Sequence, residues 1–177
     1  VLGERKYRLL HAAIAFLAVA MMLANMAFAG NTAALGSWLF SQHCFSPALT
    51  GERAAQVFAA QGLRHDFYDL DPLTAVAPSP ATGAPVTPAT DRRCEVSFDG
   101  AFPGPASSAA SDALQREGIA QTAQVPAVYQ ATQGTALLAA RRLNPRKIAV
   151  VHVGTRPGPT GTETFLSVER MPLAEAE

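Results

Sequence analysis

The densest group of chemically able side chains is the run His65-Asp66-Phe67-Tyr68-Asp69-Leu70-Asp71. An imidazole and carboxylates within reach of one another could hold a divalent metal or act as acid and base. Alternate residues of a strand share a face, so His65 and Asp69 lie together while Asp66 and Tyr68 point elsewhere. The spacing matches no calcium loop, and no H-E-x-x-H or paired-ligand pattern supports zinc. The plainer reading is an edge strand whose charges deter aggregation and which ends in the Asp71-Pro72 turn. His65, Asp66 and Asp69 are therefore the candidate catalytic residues of an alternative reading only, a small hydrolase or metal-dependent enzyme.

The other chemical signals are sparser. His152 lies in the apolar run Lys147 to Thr155 on the face of Ile148 and Val150, where a hydrogen-bonded core histidine is the ordinary expectation. Arg141, Arg142, Arg146 and Lys147 could pair with an acidic partner or with lipid phosphates, although such a run is usually a solvated face. The glycine-rich stretch Gly154 to Gly161 sits between strands, so it lacks the helix N-terminus that holds phosphate. As a loop, Arg156 to Gly161 stays a candidate for binding. No G-x-S-x-G elbow, S-x-x-K pair, P-loop or dinucleotide fingerprint occurs. The sequence thus names no cofactor, no cofactor-binding residue and no metal site.

Cys44 and Cys94 are the only cysteines. An even count in an exported chain reads as one disulfide. Cys94, Val96 and Phe98 alternate with Glu95, Ser97 and Asp99, which places the sulfur on the buried face of a strand. A bridge closing a loop of about 50 residues is worth on the order of 4 kcal/mol in the chain-entropy model. No C-x-x-C or haem-attachment motif argues for redox work.

Export is read from the N-terminus. Arg5, Lys6 and Arg8 precede an apolar run from Leu9 to Leu23, and Ala27-Phe28-Ala29 offers a cleavage site before Gly30. The alternative is an uncleaved anchor over residues 9–29, long enough to span a bilayer core. Either version puts the body outside the cytoplasm. Alanine is about a fifth of the 177 residues, and Lys6 and Lys147 are the only lysines. That bias suggests a GC-rich bacterium, hence the periplasm, or a single-pass inner-membrane protein with its domain there. Without Glu4, Arg5, Lys6 and Arg8 the body holds two more acidic than basic side chains. Such a body lacks the basic field that nucleic acid requires.

The rest of the chain supplies the frame. A short helix is expected from Asn31 to Phe45, with Leu35, Trp38 and Leu39 as its apolar side. A second follows, with Thr50 as N-cap and Ala54, Val57 and Phe58 as its stripe, ended by Gly62. Leu63 to Leu70 reads as a strand. Residues 72–90 hold five prolines among Ala, Thr and Ser and read as an irregular connection over the surface. A helix is expected from about Ala106 to Glu117, ended by Gly118. Thr135 to Leu143 suits a strand or a helix, with the strand favoured. Lys147 to Thr155 and Glu163 to Glu169 form a hairpin.

The sequence therefore predicts a signal peptide or anchor over residues 1–29. One disulfide-stapled α+β domain over 30–177 follows, its antiparallel sheet of four or five strands carrying two helices on one face. The function expected is that of an exported, periplasmic binding or accessory protein without catalysis. Its partner would be an envelope protein or membrane complex, with membrane contact only if residues 9–29 stay uncleaved. A membrane-anchored accessory subunit of an envelope complex is the remaining alternative.

Overall fold

The computed structural model describes residues 14, 16, 17, 29–70 and 78–173. The chain divides into two compact units, Val1–Thr32 and Ala33–Glu177. The expected signal or anchor falls almost wholly outside the described residues. Among the described residues no helix is long and apolar enough to cross a membrane.

The second unit is α+β. Helix α1 runs to residue 43, and α2 spans Gly51–Ala54 and continues as a π-helical turn over Ala55–Ala59. Strands β1 (Arg64–Asp69) and β2 (Arg92–Asp99) precede α3 (Pro103–Arg116). Then come β3 (Thr122–Ala123), β4 (Thr135–Asn144), β5 (Lys147–Gly158) and β6 (Gly161–Pro172). The six strands form one sheet in the order β1-β2-β6-β5-β4-β3, antiparallel at every pairing. Six strands and three helices replace the four or five strands and two helices expected. The extra strand is β3, two residues too short to leave a periodic pattern in sequence.

Local chemistry accounts for the elements. Thr50 Oγ1 accepts the backbone N–H of Arg53 at 3.2 Å, satisfying one of the first-turn donors of α2. Gly62 and Gly118 both adopt φ +68°, the left-handed conformation in which a side chain would be strained, and each stops the helix before it. α3 begins at Pro103, three residues earlier than expected, because proline needs no donor in a first turn. The β5–β6 hairpin is tighter than its sequence implied. Gly158 pairs with Gly161, so the loop is only Pro159-Thr160 and Arg156 belongs to a strand.

The helices cover one face of the sheet. Phe40, Phe58, Val96, Phe98, Val151 and Leu166 are buried there. Trp38, expected on the inner side of α1, is instead 55% exposed, while Phe40 and Ala33 turn inward. A Cβ on Gly36 would lie 2.5 Å from the Phe98 ring, so the missing side chain sets how closely α1 approaches the sheet. Cys44, just after α1, is bonded to Cys94 on β2, stapling helix layer to sheet. A disulfide of this kind fits an oxidising, non-cytoplasmic compartment.

The opposite face is also covered. Ala140, Ile148, Val150 and Met171 form a small apolar cluster with Val125, Tyr129 and Leu138 against it. Residues 78–90 make no helix or strand, as expected, but they are more than a surface connection. Ser79, Val86 and Thr90 are buried, and they lie in the stretch that reaches β1 through Asp66 and Tyr68.

Candidate functional site

The strand register fixes what shares the second face. Asp66, Glu95, Ser167 and His152 sit in one row across β1, β2, β6 and β5. The next row carries Tyr68, Arg93, Glu169 and Val150. A strand exposes every second residue to one face, so these polar side chains converge instead of scattering.

They form a chain of alternating charge. Arg64 Nη2 lies 2.7 Å from both Asp99 Oδ1 and Glu163 Oε2. Arg156 donates from Nε to Glu163 Oε1 and from Nη2 to Glu95 Oε1, each at 2.6 Å. Glu95 also accepts from Arg93, whose Nη1 is 3.2 Å from Glu169 Oε1. Glu169 then accepts the phenol protons of Tyr68 at 3.2 Å and Tyr129 at 3.1 Å. Asp66 closes the far side, with Ser79 Oγ donating to it and Arg93 Nε at 3.4 Å.

Burial makes this arrangement unusual. The side chains of Glu95, Glu163 and Glu169 are each 6% exposed. Charges taken out of water persist only where partners compensate the lost hydration. Burial would raise the Glu95 carboxyl, but Arg93 and Arg156 outweigh it and hold the group below its ordinary range. Burial would likewise lower Arg93, yet Glu95, Glu169 and Asp66 hold it above the ordinary guanidinium value. Burial and the Glu169 carboxylate push the Tyr129 phenol well up, so it stays a donor. His152 is lowered, first by burial and further by Arg93 and Arg156, against the pull of Glu95. Its Nε2 lies 3.1 Å from Thr135 Oγ1, and its ring meets Phe165 edge-on at 5.0 Å.

A cavity of about 280 Å³ opens over this network, with Arg93, Glu95, Tyr129, His152, Arg156 and Glu169 among its walls. Phe165 and Ser167 line it as well. Perturbed ionisable groups gathered in a concavity make it the candidate functional site. What the geometry offers is hydrogen bonding. Each of the three glutamates already accepts from two or more groups, which leaves no carboxylate poised as a free base or nucleophile.

The residues singled out from sequence are placed apart. His65 lies on the helix side, its ring 5.8 Å from that of Phe58. Asp66 is on the opposite face within the charged chain. Asp69 ends β1, bonded to Arg92 and 3.5 Å from Arg170 Nη2. Of the three, only Asp66 adjoins the cavity network. Among the described residues, no three His, Cys, Asp or Glu side chains are grouped so as to hold a metal ion. Arg141 and Arg142 lie on β4, Lys147 begins β5, and Arg146 is in the turn between them.

Sequence reasoning missed Arg93, Glu95, Tyr129, Glu163 and Glu169, and Arg156 entered only as the start of a candidate binding loop. A signal was present in β2, where Arg93, Glu95 and Asp99 put charges of both signs on one face at even spacing. Comparison with family models, curated proteins and solved structures gives no match.

Proposed function

We propose that the protein is an exported, periplasmic binding protein whose ligand occupies the cavity over the charged chain. The observation that carries this reading is the mutually paired set Glu163–Arg156–Glu95–Arg93–Glu169, its three glutamates buried, beneath a cavity of ligand size. This pairing favours recognition over catalysis, because Arg93 and Arg156 hold Glu95 ionised and make it a poor proton acceptor while lone pairs remain for a ligand's donors.

Charge sets the ligand class. Along the chain Asp66, Glu95, Asp99, Glu163 and Glu169 outnumber Arg64, Arg93 and Arg156 by two. An anion would therefore enter an already negative neighbourhood, whereas hydroxyl or ammonium donors meet carboxylate lone pairs. The ligand is a small, non-anionic molecule rich in hydrogen-bond donors, with an apolar edge for Phe165.

The test has two arms. Protein recovered from the envelope fraction is expected to have a mass beginning at Gly30 and to carry a small molecule in native mass spectrometry. Ser167→Leu, which fills the cavity, is expected to lose that molecule. Turnover of a substrate that is abolished by His65→Ala or Asp69→Ala, with folding intact, would overturn the binding reading.

A further inference from the structure

A second cavity, of about 320 Å³, lies on the helix side of the sheet, where the segment after α1 meets the ends of β2, β4, β5 and β6. Its composition is divided. Phe45, Ile119, Leu143, Ala149 and Val168 supply apolar walls, and Arg92, Lys147 and Arg170 supply cations. Leu143 remains 36% exposed, one of few large hydrophobic residues left so in this unit.

The cations are under-compensated. Asp91 serves both Lys147 and Arg170, and Asp69 serves Arg92 with a longer contact to Arg170. Among the described residues three cations thus share two carboxylates, leaving one positive charge in excess. Lys147 and Arg170 are 33% and 30% exposed, and each keeps N–H donors beyond those spent on Asp91. Arg92 is committed elsewhere, donating to the carbonyls of Ser46 and Leu49.

We propose that this cavity binds a medium-chain alkyl carboxylate, its headgroup on Lys147 and Arg170 and its chain against Phe45, Ile119 and Val168. An apolar wall beside an unspent positive charge complements one apolar tail with one negative head. At about 30 Å³ per water-sized group the space admits a chain of roughly ten carbons. The site is independent of the one over the opposite face, and it takes the opposite charge.

Calorimetric titration of the full chain with sodium decanoate, hexanoate and decyltrimethylammonium tests the assignment. Decanoate is expected to bind at one site. Affinity should rise about fourfold per methylene from hexanoate to decanoate, the increment for burying that group. Decyltrimethylammonium should bind at least tenfold more weakly than decanoate. Lys147→Gln leaves Arg170 on Asp91 and is expected to weaken decanoate at least tenfold, and Leu143→Asp should do the same from the apolar side. Ser167→Leu should leave decanoate binding unchanged, which separates this site from the other. Equal binding of the cationic amphiphile, indifference to chain length, or full affinity in both Lys147→Gln and Leu143→Asp would overturn the proposal.

Discussion

Arg156 on β5 reaches over β6 to place its Nη2 2.6 Å from Oε1 of Glu95 on β2. Two strand spacings, each about 4.8 Å, separate the backbones concerned. With its second contact, to Glu163 on β6, Arg156 links side chains of three strands and forms the centre of the charged chain.

Breaking that centre should be costly. Glu95→Gln leaves Arg93 and Arg156 without their shared carboxylate, and loss of one partner of a buried pair typically costs about 3–5 kcal/mol. Denaturant unfolding of wild type and variant checks this. Asp99→Asn is the control, since half the Asp99 side chain is exposed and such surface pairs contribute about 0–1 kcal/mol.

The same carboxylate predicts acid sensitivity. Glu95 is held below its ordinary value in the fold, so its contribution is complete above the unfolded carboxyl pKa of about 4.3. It is lost as pH falls through the lower folded value. Unfolding free energy measured from pH 6 to pH 2 should fall more steeply for wild type than for Glu95→Gln. His152 is depressed too, so its share is present above about 6.5 and is lost with falling pH; His152→Gln should flatten the pH 7 to 5 segment.

The staple is the third point of leverage. Cys44 and Cys94 are 50 positions apart, and closing such a loop is worth on the order of 4 kcal/mol. Reduction, or a Cys44→Ser/Cys94→Ser double variant, should lower the unfolding free energy by that order. Thermal melts with and without reductant read it directly.

Close backbone approach gives a fourth prediction. A Cβ on Gly154 would stand 2.6 Å from the carbonyl oxygen of Gly134, at the register shift between Thr135 and Leu137. Backbone cannot swing aside as a side chain can. Gly154→Ala should destabilise by about 1–3 kcal/mol, the usual cost of overpacking, in equilibrium unfolding.

Much of the frame was legible in sequence because its signals are local. Thr50 and Gly62 bound α2 through their own backbone chemistry, and the Lys147 to Glu169 hairpin announces itself by an apolar run, a glycine- and proline-rich loop and the alternation of Glu163 to Glu169. The Cys94 strand was placed correctly, and so was the sulfur on its buried side. Glu95 and Ser97 were assigned to an outer face for the same reason, since alternation separates faces without saying what covers each. The stretches holding Ser79, Thr90 and Tyr129 reach that face at Asp66, Tyr68 and Glu169, and they are distant in sequence and without periodicity of their own. His65 and Asp69 drew notice through proximity along the chain. Arg93, Glu95 and Glu169 escape it because they meet only across paired strands.

The most direct test of the binding account is a calorimetric comparison of small ligands on wild type and Ser167→Leu. The panel holds trehalose, glucosamine and putrescine as donor-rich, non-anionic compounds, and succinate and citrate as anions. The account predicts that at least one of the first three binds wild type, that the cavity-filled variant loses it, and that neither anion is lost on filling the cavity. Binding that survives Ser167→Leu, anion binding that this variant removes, or no binding by any of the three donor-rich compounds would contradict it.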